Sequence, residues 1–143
     1  MENTKRASFS IEKYNFNQVH IDMNHRTSDN LFVDFNPSGE FIENEKKYTL
    51  HFIFSAFSSK EKDTAPFVQV KCVGVFKFED VNNIDDVPEF FYRNSIAILF
   101  PYMRAYVSMV TNQANVPQIM LPTLNLSALE KPLKDNTKVI KEQ

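Results

Sequence analysis

Apolar residues early in the chain recur at every second position, and the period breaks in informative places. In SFSIEKYNFNQVHIDM they fall at Phe9 and Ile11, then Tyr14 and Phe16, then Val19, Ile21 and Met23. The parity changes twice, which a straight strand cannot do without turning its apolar face to water. A bulged or bent strand, or two short ones, is expected. NLFVDFN puts Leu31, Val33 and Phe35 on one face of a short strand, ended by the turn-forming cluster NPSGE. KYTLHFIFSAF is the clearest strand: Tyr48, Leu50, Phe52, Phe54 and Ala56 share an apolar face, opposite a mixed one. After the polar run SSKEKDTA, the next strand opposes Val68, Val70, Cys72, Gly74, Phe76 and Phe78 to Phe67, Gln69, Lys71, Val73, Val75 and Lys77. Four strands in series with short polar connections predict an antiparallel sheet.

Near residue 86 the period becomes helical. Asp86 stands three residues before Glu89, a capping-box spacing, with Pro88 in the tolerated first turn. Phe90, Phe91 and Asn94 begin a short helix, and Ile98, Leu99, Tyr102, Met103, Tyr106 and Val110 form the stripe of a longer one. Pro101 removes a hydrogen bond within it and predicts a kink or a helix junction. The stripe reads as core or subunit interface. VPQIMLPTLNL is extended, because Pro117 and Pro122 push the residues before them out of helical geometry. Asn125 or Ser127 caps a last short helix that Pro132 curtails. The expected class is α+β: a four-stranded antiparallel sheet, then a long Pro-kinked helix and a short C-terminal one. One domain covers 9–131, between flexible stretches at 1–8 and 132–143.

Length and composition narrow the function. The 143 residues suit one domain with a substantial core. The chain holds 14 Phe and no Trp, and its 2 glycines exclude a Gly-rich phosphate loop. A net charge of −2 argues against nucleic acid as a partner. The lone Cys72 fits a reducing compartment. MENTKRASFS does not read as a signal peptide and no apolar run approaches a membrane span, so a cytoplasmic protein without membrane insertion is expected. His20, His25 and His51 have no ligand spacing, so no metal or other cofactor is expected. Cys72 reads as a buried strand residue. Glu79–Asp80 and Asp85–Asp86 read as a solvated turn and a helix start. No catalytic residue is assigned, and the protein is expected not to be an enzyme.

The run ILFPYMRAYVSMVTNQANVPQIMLPTLNLSAL resembles the C-terminal signature of the SecB family of protein-export chaperones. Its LFPY element corresponds to Leu99–Tyr102, its Pro-Gln turn to Val116–Gln118, its apolar Leu/Pro segment to Leu121–Leu124 and its helix start to Asn125–Leu129. VGVFKFEDV and FSIEKYNFNQVHID are similar to strands of that family, so the resemblance covers roughly residues 9 to 130. It implies a four-stranded sheet with two helices, assembled as a homotetramer that is a dimer of dimers. It also implies an ATP-independent holdase that binds unfolded polypeptides along hydrophobic grooves, serving protein export or protecting an aggregation-prone antitoxin.

On that resemblance the groove is lined by Leu31, Val33, Phe35, Leu121, Leu124, Leu126 and Leu129. Each of these residues equally suits the domain's own core. The family docks on the SecA motor partly through acidic side chains on the outer face of the sheet. The matching positions here are Gln18, Asp22, Phe67 and Gln69; only Asp22 keeps a carboxylate, which argues against docking. The alternative from another class is an oligomeric α+β protein that binds a small apolar ligand or one folded partner.

Overall fold

The computed structural model describes residues 8–61 and 63–141. Five strands, β1 (Phe9–Ile21), β2 (Phe32–Ile42), β3 (Lys47–Phe57), β4 (Val68–Phe78) and β5 (Thr137–Ile140), form one sheet in the order β1-β4-β3-β2-β5. One long helix, α1 (Glu89–Gln113), and a short one, α2 (Glu130–Asp135), complete the α+β domain.

The broken period of β1 is explained by its pairing. Its register with β4 slips between Ile11 and Lys13 and again between Phe16 and Gln18, the two places where the apolar parity changes. Each slip returns the next apolar residue to the inner face, so Phe9, Ile11, Tyr14, Phe16, Val19 and Ile21 all oppose inner-face residues of β4. The two central strands behave as their alternation predicts. Tyr48, Leu50, Phe52, Phe54 and Ala56 of β3 are fully buried, as are Val68, Val70, Cys72 and Phe76 of β4.

Three expectations are corrected. The sheet has five strands rather than four: Thr137–Ile140, within the stretch assigned to a tail, pairs parallel with Gly39–Ile42. The cue was weak because β5 is four residues long and interleaved with lysine. Strand β2 does not stop at NPSGE but continues to Ile42. Pro37 is tolerated because β5 begins to pair only at Gly39, which leaves β2 an edge strand at the proline. Lastly, α1 is one continuous helix of 25 residues through Pro101 rather than two pieces. Pro101 and Ala97, whose carbonyl would have received the missing bond, are both exposed, so water can satisfy that group.

Helix capping also differs in detail. The reciprocal cap belongs to Asn83 and Asp86 around the 3-10 turn Ile84–Asp86, while Pro88 occupies the N-cap position of α1 with no side-chain cap bond. Asn125 accepts from the Ser127 amide at 3.1 Å and starts the 3-10 turn Leu126–Leu129 that leads into α2. Pro132 falls in the first turn of α2, where its missing N–H is harmless, and does not curtail the helix. The expected flexible start lies outside the described residues except for Ser8, whose carbonyl accepts from Glu79 N at 3.0 Å.

The core lies between the inner sheet face and the buried stripe Phe91, Tyr92, Ile96, Leu99, Met103 and Val107 of α1. Leu99 and Met103 of the expected stripe are core, whereas Tyr102 is exposed and Ile98, Tyr106 and Val110 are half-buried. At the β5 end, Tyr48 lies edge-on to Phe91, with 4.8 Å between ring centroids, and its hydroxyl bonds Thr137 Oγ1 at 2.6 Å. A Cβ at Gly39 would stand 1.9 Å from that hydroxyl oxygen, so the ring fits only because position 39 has no side chain. Gly74 is a milder case, where a Cβ would meet the flexible end of Leu99 at 2.9 Å.

Burial pushes the Cys72 thiol up to about 11. Burial, with a contribution from the Glu89 and Asp85 carboxylates, pushes Tyr92 up to about 12, and burial also raises Tyr48.

Gly39→Ala is expected to lower stability in urea denaturation by about 1–3 kcal/mol through overpacking, and more than Gly74→Ala does. Because the folded state holds these protons above their ordinary values of 9.0 and 10.0, stability should be full below about pH 9. It should then fall as pH rises through about 11 to 12, read as a declining urea midpoint.

Candidate functional site

A helix that commits one side to a sheet leaves the other side to solvent or to the chain that follows. On α1 that outer ridge carries Arg93, Ala97, Pro101, Arg104, Ala105 and Ser108, small side chains at successive turns with arginines among them. The chain reverses after the helix at Asn115, which adopts a left-handed backbone (φ 58°) that asparagine tolerates well. Residues 116–125 then run back along α1 as an extended ribbon. Gln118 donates to Ser108 Oγ at 2.8 Å, Arg104 donates to Thr123 Oγ1 at 3.5 Å, and Glu130 faces Arg93 at 3.9 Å.

Few interactions hold the ribbon. Thr111 is fully buried; its hydroxyl donates to the Val107 carbonyl at 2.8 Å and accepts from the Ile119 amide at 3.0 Å. Ile119 and Leu121 face inward, at 3% and 5% exposure, while Met120 between them is 73% exposed. Leu124, Leu126 and Leu129 are half-buried against the core. Between ribbon and ridge lie two adjoining cavities that share Pro101. One, of about 470 Å³, is lined by Arg104, Ala105, Ser108, Met120 and Leu121. The other, of about 320 Å³, is lined by Arg93, Ala97, Phe100, Leu124 and Leu126 among others. Together they form a shallow groove, mixed in polarity beside Arg104 and Ser108 and mainly apolar beside Phe100, Leu124 and Leu126.

The structure gathers Leu121, Leu124 and Leu126 on this groove and leaves Leu129 beside it. Phe35 reaches it through Phe100, the rings lying 5.8 Å apart, and also packs on Phe52 and Phe54. Leu31 and Val33, at 47% and 39% exposure, line neither cavity. Sequence reasoning missed Arg93, Ala97, Pro101, Arg104, Ala105, Ser108 and Met120. The signal for three of them was the recurrence of small residues at 97, 101 and 105, on the side of the helix opposite the apolar stripe.

A second apolar surface lies at the free edge of the sheet. Tyr14 stacks on Tyr102 at 4.2 Å and Phe16 on Tyr106 at 4.1 Å, and with Ala105 and Met109 these rings line a cavity of about 230 Å³. Of the four positions on the outer-face comparison, Gln18 is exposed and Gln69 is held by Ser55 at 2.9 Å. Asp22 caps Asn24 N at 3.0 Å and faces His25, and Phe67 is buried in the core. Among the described residues, no group of three or more His, Cys, Asp or Glu side chains is placed to hold a metal ion, and no helix is long and apolar enough to cross a membrane.

The profile of the family described as preprotein translocase subunit SecB matches residues 6–134 of this sequence. The chain belongs to the SecB family. A SecB protein-export protein of Anaplasma phagocytophilum is 34% identical over 79 residues, 53% of this chain and 50% of that protein. An uncharacterized protein of Methanocaldococcus jannaschii is 36% identical over 91 residues, 59% of each chain. The SecB-family chain thus matches little more than half the length of these curated relatives. A Mycobacterium tuberculosis SecB-like chaperone, solved in complex with a ChAD peptide from the HigA1 antitoxin, superposes with a TM-score of 0.55 at 14% identity. The superposition covers 82% of this chain and 91% of that one, and it shows the SecB-like fold.

Thr111→Val keeps the side-chain volume and strands the buried Ile119 amide, so it is expected to cost about 1–3 kcal/mol. Amide exchange should accelerate at Ile119 while the β3 and β4 amides stay protected; uniform acceleration would mean that Thr111 supports the whole fold instead.

Proposed function

We propose that this chain is an ATP-independent cytoplasmic holdase that keeps unfolded polypeptides soluble by taking their apolar segments into the groove between α1 and the ribbon. The observation that carries this reading is the groove itself. A binder of unsorted unfolded chains needs broad apolar area with few fixed polar contacts. The cavity beside Phe100, Leu124 and Leu126 is mainly apolar and adjoins a second, mixed one, beside a ribbon that Pro117 and Pro122 keep out of helix. Apolar burial contributes on the order of 25 cal/mol per Å², so affinity can come from area rather than from one recognised sequence. Leu121, Leu124 and Leu126 form one wall, with Leu129 beside it and Phe35 behind Phe100; Val33 and Leu31, which line neither cavity, would be reached only by a longer client segment. Both glycines lie in strands, so neither forms part of a phosphate-binding loop.

The clients in this reading are unfolded preproteins or an aggregation-prone antitoxin, and the peptide held by the M. tuberculosis neighbour supports the second class. Docking on SecA is weak or absent, since Phe67 is buried and neither Gln18 nor Gln69 carries charge. The chain assembles as a homotetramer, a dimer of dimers. Supporting this, among the described residues β1 pairs with β4 alone and carries the half-exposed Tyr14 and Phe16 stacks along its other edge, a surface that a second copy can cover.

Light scattering of an unrelated, slowly folding protein diluted from denaturant, with no ATP, tests the reading. Suppression near one oligomer per client is expected, with Leu124→Asp weakening it at unchanged oligomer mass and no SecA binding in the micromolar range. Failure to suppress any unfolded protein would sink the general holdase, and unfolding or dissociation by Leu124→Asp would make Leu124 core rather than groove.

A further inference from the structure

A cavity of about 310 Å³ lies at the start of α1 and shares no lining residue with the groove. Four segments meet around it: the 3-10 turn Ile84–Asp86 gives Asp85, α1 gives Glu89 and Tyr92, α2 gives Lys134, and β5 gives Thr137. We propose that this cavity binds a small primary amine as its ammonium ion, held by Asp85 and the Tyr92 hydroxyl. The proposal does not depend on the groove being the client site.

Tyr92 is the anomaly that points to a ligand. The residue is 2% exposed, with its ring edge-on to Tyr48 and Phe91. Among the described residues its hydroxyl has no hydrogen-bond partner. A phenylalanine would fill the same space without stranding a hydroxyl, and the chain uses phenylalanine 14 times. The hydroxyl is not sealed in the way that His51 Nδ1 is, so it opens on the cavity that its residue lines. Asp85 is in the same condition. Its backbone N–H donates to Asn83, and among the described residues its carboxylate has no hydrogen-bond or ion-pair partner.

Charge and shape give the ligand. Two carboxylates, Asp85 and Glu89, face one ammonium, Lys134, so the lining carries an excess negative charge. Lys134 bonds Glu89, and its Nζ lies 6.0 Å from the Tyr92 ring centroid, so one ammonium is already accommodated in these surroundings. That pair bridges α1 to α2 on the solvent side, at 49% and 65% exposure, and leaves Asp85 unmatched. Glu89 in the first turn offsets the positive end of α1, which therefore does not repel a cation. An ammonium brings three N–H donors, enough for the Asp85 carboxylate, the Tyr92 oxygen and a share of Glu89. Burial, and then the two carboxylates, keep the phenol protonated, so it meets the ammonium as a neutral acceptor. Ile84 and Val87 give the alkyl chain an apolar wall. A free amine enters more easily than a lysine on another protein, whose backbone would have to clear the Lys134–Glu89 pair.

The test is titration of n-pentylamine into the full chain at fixed pH and ionic strength, followed by the backbone amide shifts of Asp85, Val87 and Thr137. Saturable shifts with a dissociation constant on the order of a millimolar are expected for so small a ligand. Pentanol and tetramethylammonium, which lack the charge or the N–H donors, should bind about tenfold more weakly. Tyr92→Phe should weaken amine binding about three- to tenfold without lowering the urea midpoint, and Asp85→Asn should weaken it as much. No saturable shifts, or equal binding of pentanol, overturns the proposal. Unchanged affinity in Tyr92→Phe, or a lowered urea midpoint in that variant, does so as well. Tighter binding of a pentapeptide with a central lysine would assign the cavity to a protein partner's side chain, which overturns the small-amine assignment.

Discussion

The inner face of the sheet has one long helix to bury it, and that obligation sets the arrangement of everything else. Tyr48, Leu50, Phe52 and Phe54 are sealed under Phe91, Ile96, Leu99, Met103 and Val107. A helix so committed has its opposite ridge free, and here that ridge is made of small residues with arginines at intervals. Bulky apolar residues at 97, 101 and 105 would fill the space into which the ribbon opens. The groove is thus the complement of the core: the same helix packs tightly on one side and is underfilled on the other.

Proline does different work in the two groove walls. In α1, Pro101 is tolerated because the carbonyl it orphans is on the wet side, and its ring becomes shared floor for both cavities. In the ribbon, Pro117 and Pro122 prevent a second helix from closing over the ridge. What then keeps the ribbon near the helix is a small set of anchors: the Thr111 hydroxyl on the Ile119 amide, and the inward side chains of Ile119 and Leu121. Lightly anchored extended chain over a packed helix is a surface that can adjust to different side chains without disturbing the core beneath.

Much of the fold was legible because burial on one face writes itself as alternation. β3 and β4 read directly, and the parity changes of β1 marked both bulges. What did not read was set by tertiary context. Pro37 looked like a stop, yet the sheet edge at that point tolerates it. β5 has no apolar face of its own to announce it; its Thr137 is held by the Tyr48 hydroxyl, which has space only because Gly39 carries no side chain. For the groove, Leu121, Leu124 and Leu126 were legible as an apolar series near prolines. The opposing wall was not, because small residues on the solvent side of a helix look like ordinary surface until a second segment lies across them.

The bond between Tyr48 and Thr137 joins residues 89 positions apart. During synthesis, β2, β3, β4 and α1 are all made before Thr137. For that interval the Gly39–Ile42 edge has no β5 to pair with and the Tyr48 hydroxyl lacks its Thr137 partner. The last edge to close is on the opposite side of the sheet from β1, and until β5 covers it that edge is a template on which another strand could pair.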